Sequence, residues 1–187
     1  GWRRRAADPG RGRPRIVSGQ AKEPMGGEKP MALADGEPVP TFSLATDGGG
    51  TFAATDLKGR TTALYFYPRD NTPGCTREAQ AFRDLAEAFA AAGARVVGVS
   101  TDGVASHDKF KARHGLNFVL VADPDAELAR AFGVWVEKSM YGRKSMGVER
   151  STFLIDADGI VRRVWRKVKV DGHAKAVLEA VLALERG

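Results

Sequence analysis

Cysteine is nearly missing from the 187-residue chain, whose one thiol is Cys75. A single thiol excludes an internal disulfide framework and any zinc or iron–sulfur centre built on several thiolates. It fits a reducing compartment, and the expected location is cytoplasmic. Long hydrophobic runs are missing too: the apolar stretches are short and broken by Lys, Arg, Asp or Gly, below the ~18 to 20 residues that a membrane-spanning helix needs. No membrane association is expected. Histidine is scarce, with only His107, His114 and His173. The first two lie seven positions apart on one expected helix, about 10 Å of rise, so no metal site is expected, and no cofactor. Asp156 and Asp158 lack the later ligands of a calcium loop and read as a hairpin turn. Gly48 to Gly50 lacks the Lys-Ser/Thr of a phosphate loop.

Positive charge is present in excess, but only locally. The net charge is +6, yet residues 1–30 hold eight Lys or Arg against three Asp or Glu, and the remaining 157 residues hold 21 against 20. A nucleic-acid surface needs clustered positive charge to gain from counterion release. The body of the chain is close to neutral, so no nucleic-acid partner is expected. Residues 1 to about 36 carry Pro9-Gly10, Arg11, Gly12, Arg13 and Pro14 and show no apolar periodicity. So little apolar surface cannot offset the entropy of ordering the chain, and a disordered basic tail or an artificial extension is expected there. The arginine-rich opening resembles an organelle address, but Met25 and Met31 are equally good starts and no hydrophobic signal core follows.

Beyond residue 37 the composition, 43% apolar and 28% charged overall, supports one domain running to 187. Short runs at 41–44 and 51–54, separated by Gly48 to Gly50, predict an amino-terminal hairpin. TALYFY at 62–67 and RVVGVS at 95–100 predict interior strands, with a third over 118–122. Between the first two, 75–92 places Ala79, Phe82, Leu85, Ala86 and Phe89 on one helical face, ended by Gly93. Helices are expected over 106–114 and 126–132, then a strand over 134–136 and a loop. Strands over 151–155 and 161–165 pair across Asp156-Ala157-Asp158-Gly159. A last helix over about 172–185 turns Val177, Leu178, Val181, Leu182 and Leu184 inward. Trp135, Tyr141 and Trp165 are expected in the core or a pocket wall. Met140 and Met146 either line an apolar pocket or simply pack.

The chemistry gathers at Tyr67-Pro68-Arg69-Asp70-Asn71-Thr72-Pro73-Gly74-Cys75-Thr76-Arg77-Glu78, where a core strand gives way to an amphipathic helix. Thr72 is placed to cap the helix with its hydroxyl, and Pro73 suits the first helical position because it has no donor to lose. Gly74 leaves the backbone open to close approach. Cys75 then lies in the first turn, where unpaired N–H groups and the positive end of the helix dipole favour thiolate over thiol. On its own a free cysteine is usually a small buried hydrophobe. Its place after Thr-Pro-Gly reverses that reading.

These residues resemble the peroxiredoxin family, in particular its peroxiredoxin Q or bacterioferritin-comigratory-protein branch. The family's Pro-x-x-x-Thr-x-x-Cys falls on Pro68, Thr72 and Cys75, and the branch's Thr-Pro-Gly-Cys-Thr-x-Glu on Thr72 through Glu78. A second segment agrees independently: Gly133-Val134-Trp135, Glu137-Lys138, Tyr141-Gly142 and Gly147-Val148-Glu149-Arg150-Ser151-Thr152-Phe153-Leu154-Ile155-Asp156. The resemblance spans about 37–187. It implies an α/β, thioredoxin-like fold, a central mixed sheet flanked by helices with an extra amino-terminal hairpin. It also implies a thiol peroxidase that reduces hydrogen peroxide and organic hydroperoxides. Cys75 would be the nucleophile, oxidised to a sulfenic acid. Arg150 would hold the thiolate and the peroxide, with Thr72 and the N–H groups around Gly74 binding the peroxide oxygens. Pro68 would shield the sulfur and Glu78 orient Arg150. Many branch members carry a second, resolving cysteine five residues on; here that position is Gln80. The oxidised thiol must then be reduced by an outside thiol, from thioredoxin or from glutaredoxin with glutathione. A monomer or weak homodimer is expected. The other reading is a non-enzymatic redox sensor or chaperone-like protein that reacts once at Cys75.

Overall fold

In the computed structural model the chain divides into two units, Gly1–Pro30 and Met31–Gly187, and the structure describes residues 33–186. The expected tail lies outside the described residues except for its last four positions. Those positions are already part of the fold: Leu33 N–H donates to the Phe132 carbonyl at 3.2 Å and Gly36 N–H to that of Val161 at 2.7 Å. Ordered pairing therefore begins ahead of the boundary expected at 37.

The organising element is β3 (Thr61–Phe66), buried at every residue. Its alternation serves two cores. Leu64 and Phe66 face one, while Ala63 and Tyr65, with Tyr67 just beyond the strand, face the other. A strand apolar on both faces belongs at the middle of a covered sheet. The five-stranded sheet has the order β5-β4-β3-β8-β9, formed by β4 (Ala94–Ser100), β5 (Val119–Ala122), β8 (Ser151–Ile155) and β9 (Val161–Trp165). β3, β4 and β5 run parallel, β8 runs antiparallel to β3, and the edge strand β9 runs antiparallel to β8. Parallel neighbours require crossovers. They are supplied by α1 (Pro73–Asp84) with α2 (Ala86–Ala91), and by α3 (Val104–His114).

One face of the sheet packs against Ala79, Phe82, Phe89, Phe110, Val177 and Val181 from α1, α2, α3 and α5 (His173–Arg186). The other face is covered by Phe42, Phe52, Leu128 and Ala129, from the amino-terminal hairpin β1 (Ser43–Ala45) with β2 (Thr51–Ala53) and from α4 (Glu127–Ala131).

Four expectations are corrected. The helix expected over 75–92 is two helices meeting at Leu85, which takes φ −103°, ψ 4°; this leaves Leu85 and Ala86 half-buried. On α5, Leu182 faces solvent at 39% exposure, and the inward stripe runs through His173, Ala174, Val177 and Val181. The loop expected after 136 is a hairpin, β6 (Trp135–Met140) paired with β7 (Arg143–Val148) through Tyr141-Gly142. At its tip Tyr141 is 96% exposed, not in the core or a pocket wall.

Candidate active site

Thr72 and Cys75 sit where β3 hands over to α1, at the end of the central strand. Pro73 occupies the first helical position and Thr72 the N-cap, with its carbonyl accepting the Thr76 N–H at 2.8 Å. Contrary to the expectation from sequence, the Thr72 hydroxyl does not cap the helix. It donates to the Arg69 carbonyl at 3.0 Å. The reason is the turn before it: Asn71 takes φ +64°, which folds the chain back so that Arg69 is within reach of Thr72. With its proton so committed, the Thr72 oxygen presents only lone pairs.

Cys75 is 1% exposed, on the helix-packed side of the sheet. Its surroundings are not wholly apolar. Arg150, 75 residues on and immediately before β8, brings Nη2 to 3.5 Å from Cys75 Sγ while Nη1 donates to Glu78 Oε1 at 2.6 Å. Glu78 and Cys75 share a face of α1, so one guanidinium spans both. Gly74 makes the approach possible. A side chain there would start 3.3 Å from Arg150 Nη2, so the space left open at Gly74 is taken by the guanidinium. No acidic residue lies in the first turn of α1, and nothing there opposes the helix dipole near the sulfur.

The charges are tightly linked. Burial pushes the Glu78 carboxyl up to about 7, with Arg150 pulling the other way. Against the effect of its own burial, Arg150 is held above its ordinary value by Glu78 and Cys75. Glu78 Oε2 is buried without a partner among the described residues. A carboxyl raised in the fold favours the native state in its protonated form. Stability therefore falls as pH rises from the ordinary carboxyl value of 4.5 towards 7. Urea unfolding of wild type and Glu78→Gln across pH 5 to 8 checks this: the wild type should lose stability over that window relative to the variant, and parallel curves would contradict it.

Pro68, Arg69, Thr72, Trp135, Lys138 and Met146 line a cleft of about 450 Å³ beside this group. Of these, Pro68 is half-buried and Met146 is 51% exposed. Lys138 was not singled out from sequence as a site residue. Its stem lies across Gly147, where a side chain would begin 3.2 Å from Lys138 Cδ. Burial and the Arg150 charge push its ammonium down while Cys75 and Glu149 draw it up, which places it within electrostatic range of the pair. The cleft thus brings the Thr72 hydroxyl and the Lys138 stem together, beside the buried Cys75–Arg150 pair. Sequence alone brings Cys75, Thr72, Arg150, Pro68, Gly74 and Glu78 to one place only by resemblance; the fold puts all six around one helix start.

The sequence profile of the AhpC/TSA family matches residues 36–164. Peroxiredoxin Bcp of Bacillus subtilis is 46% identical over 151 residues, which is 81% of this chain and 96% of that protein. A solved structure of the Xanthomonas campestris bacterioferritin comigratory protein, described for its alkyl peroxide reduction activity, is 48% identical with a TM-score of 0.74. It covers 77% of this chain and 92% of that one. A peroxiredoxin Q variant of Xylella fastidiosa is 40% identical with a TM-score of 0.78, over 82% of this chain and 98% of its own.

Proposed function

The chain belongs to the AhpC/TSA family, as a thiol peroxidase of the peroxiredoxin Bcp and peroxiredoxin Q kind, and from that premise we propose that Cys75 is its peroxide-reacting nucleophile. The observation that carries this is Arg150 Nη2 at 3.5 Å from Sγ, with its other arm fixed on Glu78. A guanidinium so held favours sulfur as thiolate and offers donors to a peroxide oxygen.

In the first step the thiolate attacks the terminal oxygen of ROOH. The S–O bond forms as O–O breaks, the hydrogen stays on the transferred oxygen, and RO⁻ leaves to be protonated by water. Sulfur loses two electrons and the peroxide gains them. Thr72 Oγ1 accepts the O–H of the incoming peroxide, since its own proton is engaged by Arg69. Negative charge grows on the departing oxygen, where Arg150 and the free N–H groups at the start of α1 stabilise it. Pro68 limits water at the sulfur, and Glu78 orients Arg150. The substrates in this reading are hydrogen peroxide and organic hydroperoxides.

Resolution needs a second molecule. Cys75 is the sole cysteine, so an outside thiol attacks the sulfenic sulfur, forms a mixed disulfide and expels water; a second thiol then frees Cys75. Thioredoxin, or glutaredoxin with glutathione, supplies these electrons in the cytoplasm, and the protein works as a monomer or weak homodimer. Coupled peroxide assays with the two reducing systems run side by side test the reading. The expected result is turnover with one of them, labelling of oxidised protein by a sulfenic-acid probe, and migration as a monomer on a non-reducing gel. No turnover with either, or an abundant disulfide-linked dimer, would overturn it.

A further inference from the structure

One buried ion pair next to the site has no part in the chemistry above. Asp70 sits in the turn between Pro68 and Thr72, yet its side chain is 1% exposed and that of His107, on α3, is 0% exposed. Three donors converge on the carboxylate: the Tyr67 hydroxyl on Oδ1 at 2.6 Å, the Ser106 hydroxyl on Oδ2 at 2.7 Å, and His107 Nδ1, also 2.7 Å from Oδ2. The other imidazole nitrogen, Nε2, is 2.9 Å from the Val121 carbonyl on β5. A carbonyl oxygen only accepts, so Nε2 carries a proton; a carboxylate already taking two hydroxyl protons also accepts from Nδ1. Both ring nitrogens of His107 thus face oxygen acceptors, the arrangement that favours the imidazolium. The groups facing it are Asp70 from the turn, Val121 from β5, the Tyr67 ring at 6.4 Å and Asp102 from the end of β4. In spite of burial, Asp70 holds His107 above its ordinary value, and His107 with Tyr67 holds Asp70 below its own.

The main chain of the same turn is fixed as well. Asp70 N–H donates to Asp102 Oδ2 at 2.8 Å, and that oxygen also accepts the Ser100 hydroxyl at 2.6 Å. Asn71 follows with φ +64°, a conformation that a non-glycine residue keeps only where its neighbours enforce it. Pro68, Arg69 and Thr72, the residues of this turn that line the cleft, flank the anchor on either side. We propose that the Asp70–His107 ion pair is the positioning device of the peroxide-binding turn, holding Pro68 and Thr72 in register with the Cys75 sulfur. His107 and Asp70 touch neither peroxide nor sulfur; they are positioning residues, and the inference rests on Cys75 being the peroxide-reacting thiol.

The test compares two reactions of the same sulfur in the full-length protein. Hydrogen peroxide needs Thr72 and Pro68 in place, whereas alkylation by iodoacetamide needs only an accessible thiolate. Second-order rates for both are measured on wild type, His107→Gln, Asp70→Asn and Ser106→Ala, well below each melting midpoint. The ratio of peroxide rate to alkylation rate is expected to fall ten- to a hundredfold in H107Q and D70N, and about threefold in S106A, which keeps the ion pair and removes one hydrogen bond. A ratio unchanged in every variant that folds, even with a lowered melting temperature, overturns the positioning role and leaves Cys75 as the nucleophile. A wild-type peroxide rate no faster than that of free cysteine instead removes the peroxidase reading, and the proposal with it.

Discussion

Replacing Arg150 by Met is expected to lower the rate of peroxide reduction by about 10²- to 10³-fold, the usual loss when one preorganised donor to a developing negative charge is removed. The same substitution strands Glu78, 1% exposed at the side chain and paired only through Oε1. Breaking a buried pair from one side costs about 3–5 kcal/mol. The lower end applies here, because Arg150 is 18% exposed at the side chain and the carboxyl, already raised to about 7, takes up a proton. Stopped-flow peroxide consumption and urea unfolding read the two effects separately. The double variant R150M/E78M is expected to recover most of the stability, since an apolar pair of similar volume replaces the buried charges, and none of the rate. If R150M reduces peroxide at the wild-type rate, the guanidinium has no share in the chemistry. If the double variant recovers activity together with stability, Arg150 acts only through folding.

Replacing Cys75 by Ser is expected to reduce turnover to the uncatalysed background with every reductant. The change is nearly isosteric at a fully buried position, and its hydroxyl can still accept from Arg150, so the cost in stability is expected to be about 1 kcal/mol. Thiol titration should fall from one group to none, and no mixed disulfide with the reductant should be trapped. Residual turnover above background would place the reacting group elsewhere.

Most of the frame was readable because its elements announce themselves locally. β3 carries apolar residues on both faces, α1 begins on Thr-Pro, and the Asp156 turn folds where its Oδ1 accepts the N–H groups of Asp158 and Ile160. The β6–β7 hairpin was not readable. Its residues from Glu137 to Met146 are all exposed, so its strands pair with each other without an apolar face to mark them, and its two-residue turn uses Tyr141 at φ +53° before Gly142 at +77° in place of the usual Asn-Gly. The break at Leu85 was hidden for the opposite reason, since the apolar stripe continues across it. At the site, Cys75 and Arg150 were legible through two separate motifs. His107 carries no such mark: nothing in its neighbourhood signals a partner 37 positions earlier, and only the packing of α3 against the turn after β3 reveals one.

The wall of the cleft that bears Trp135, Lys138 and Met146 belongs to a two-stranded ribbon outside the five-stranded sheet. Its ladder closes on itself. Lengthening or shortening that ribbon at its exposed Tyr141-Gly142 tip breaks no rung of the central sheet. On the reading proposed above, the aperture that a bulky peroxide or a protein thiol would pass is thereby separable from the thiol, and natural or engineered variation can resize the doorway while the hearth behind it stays the same.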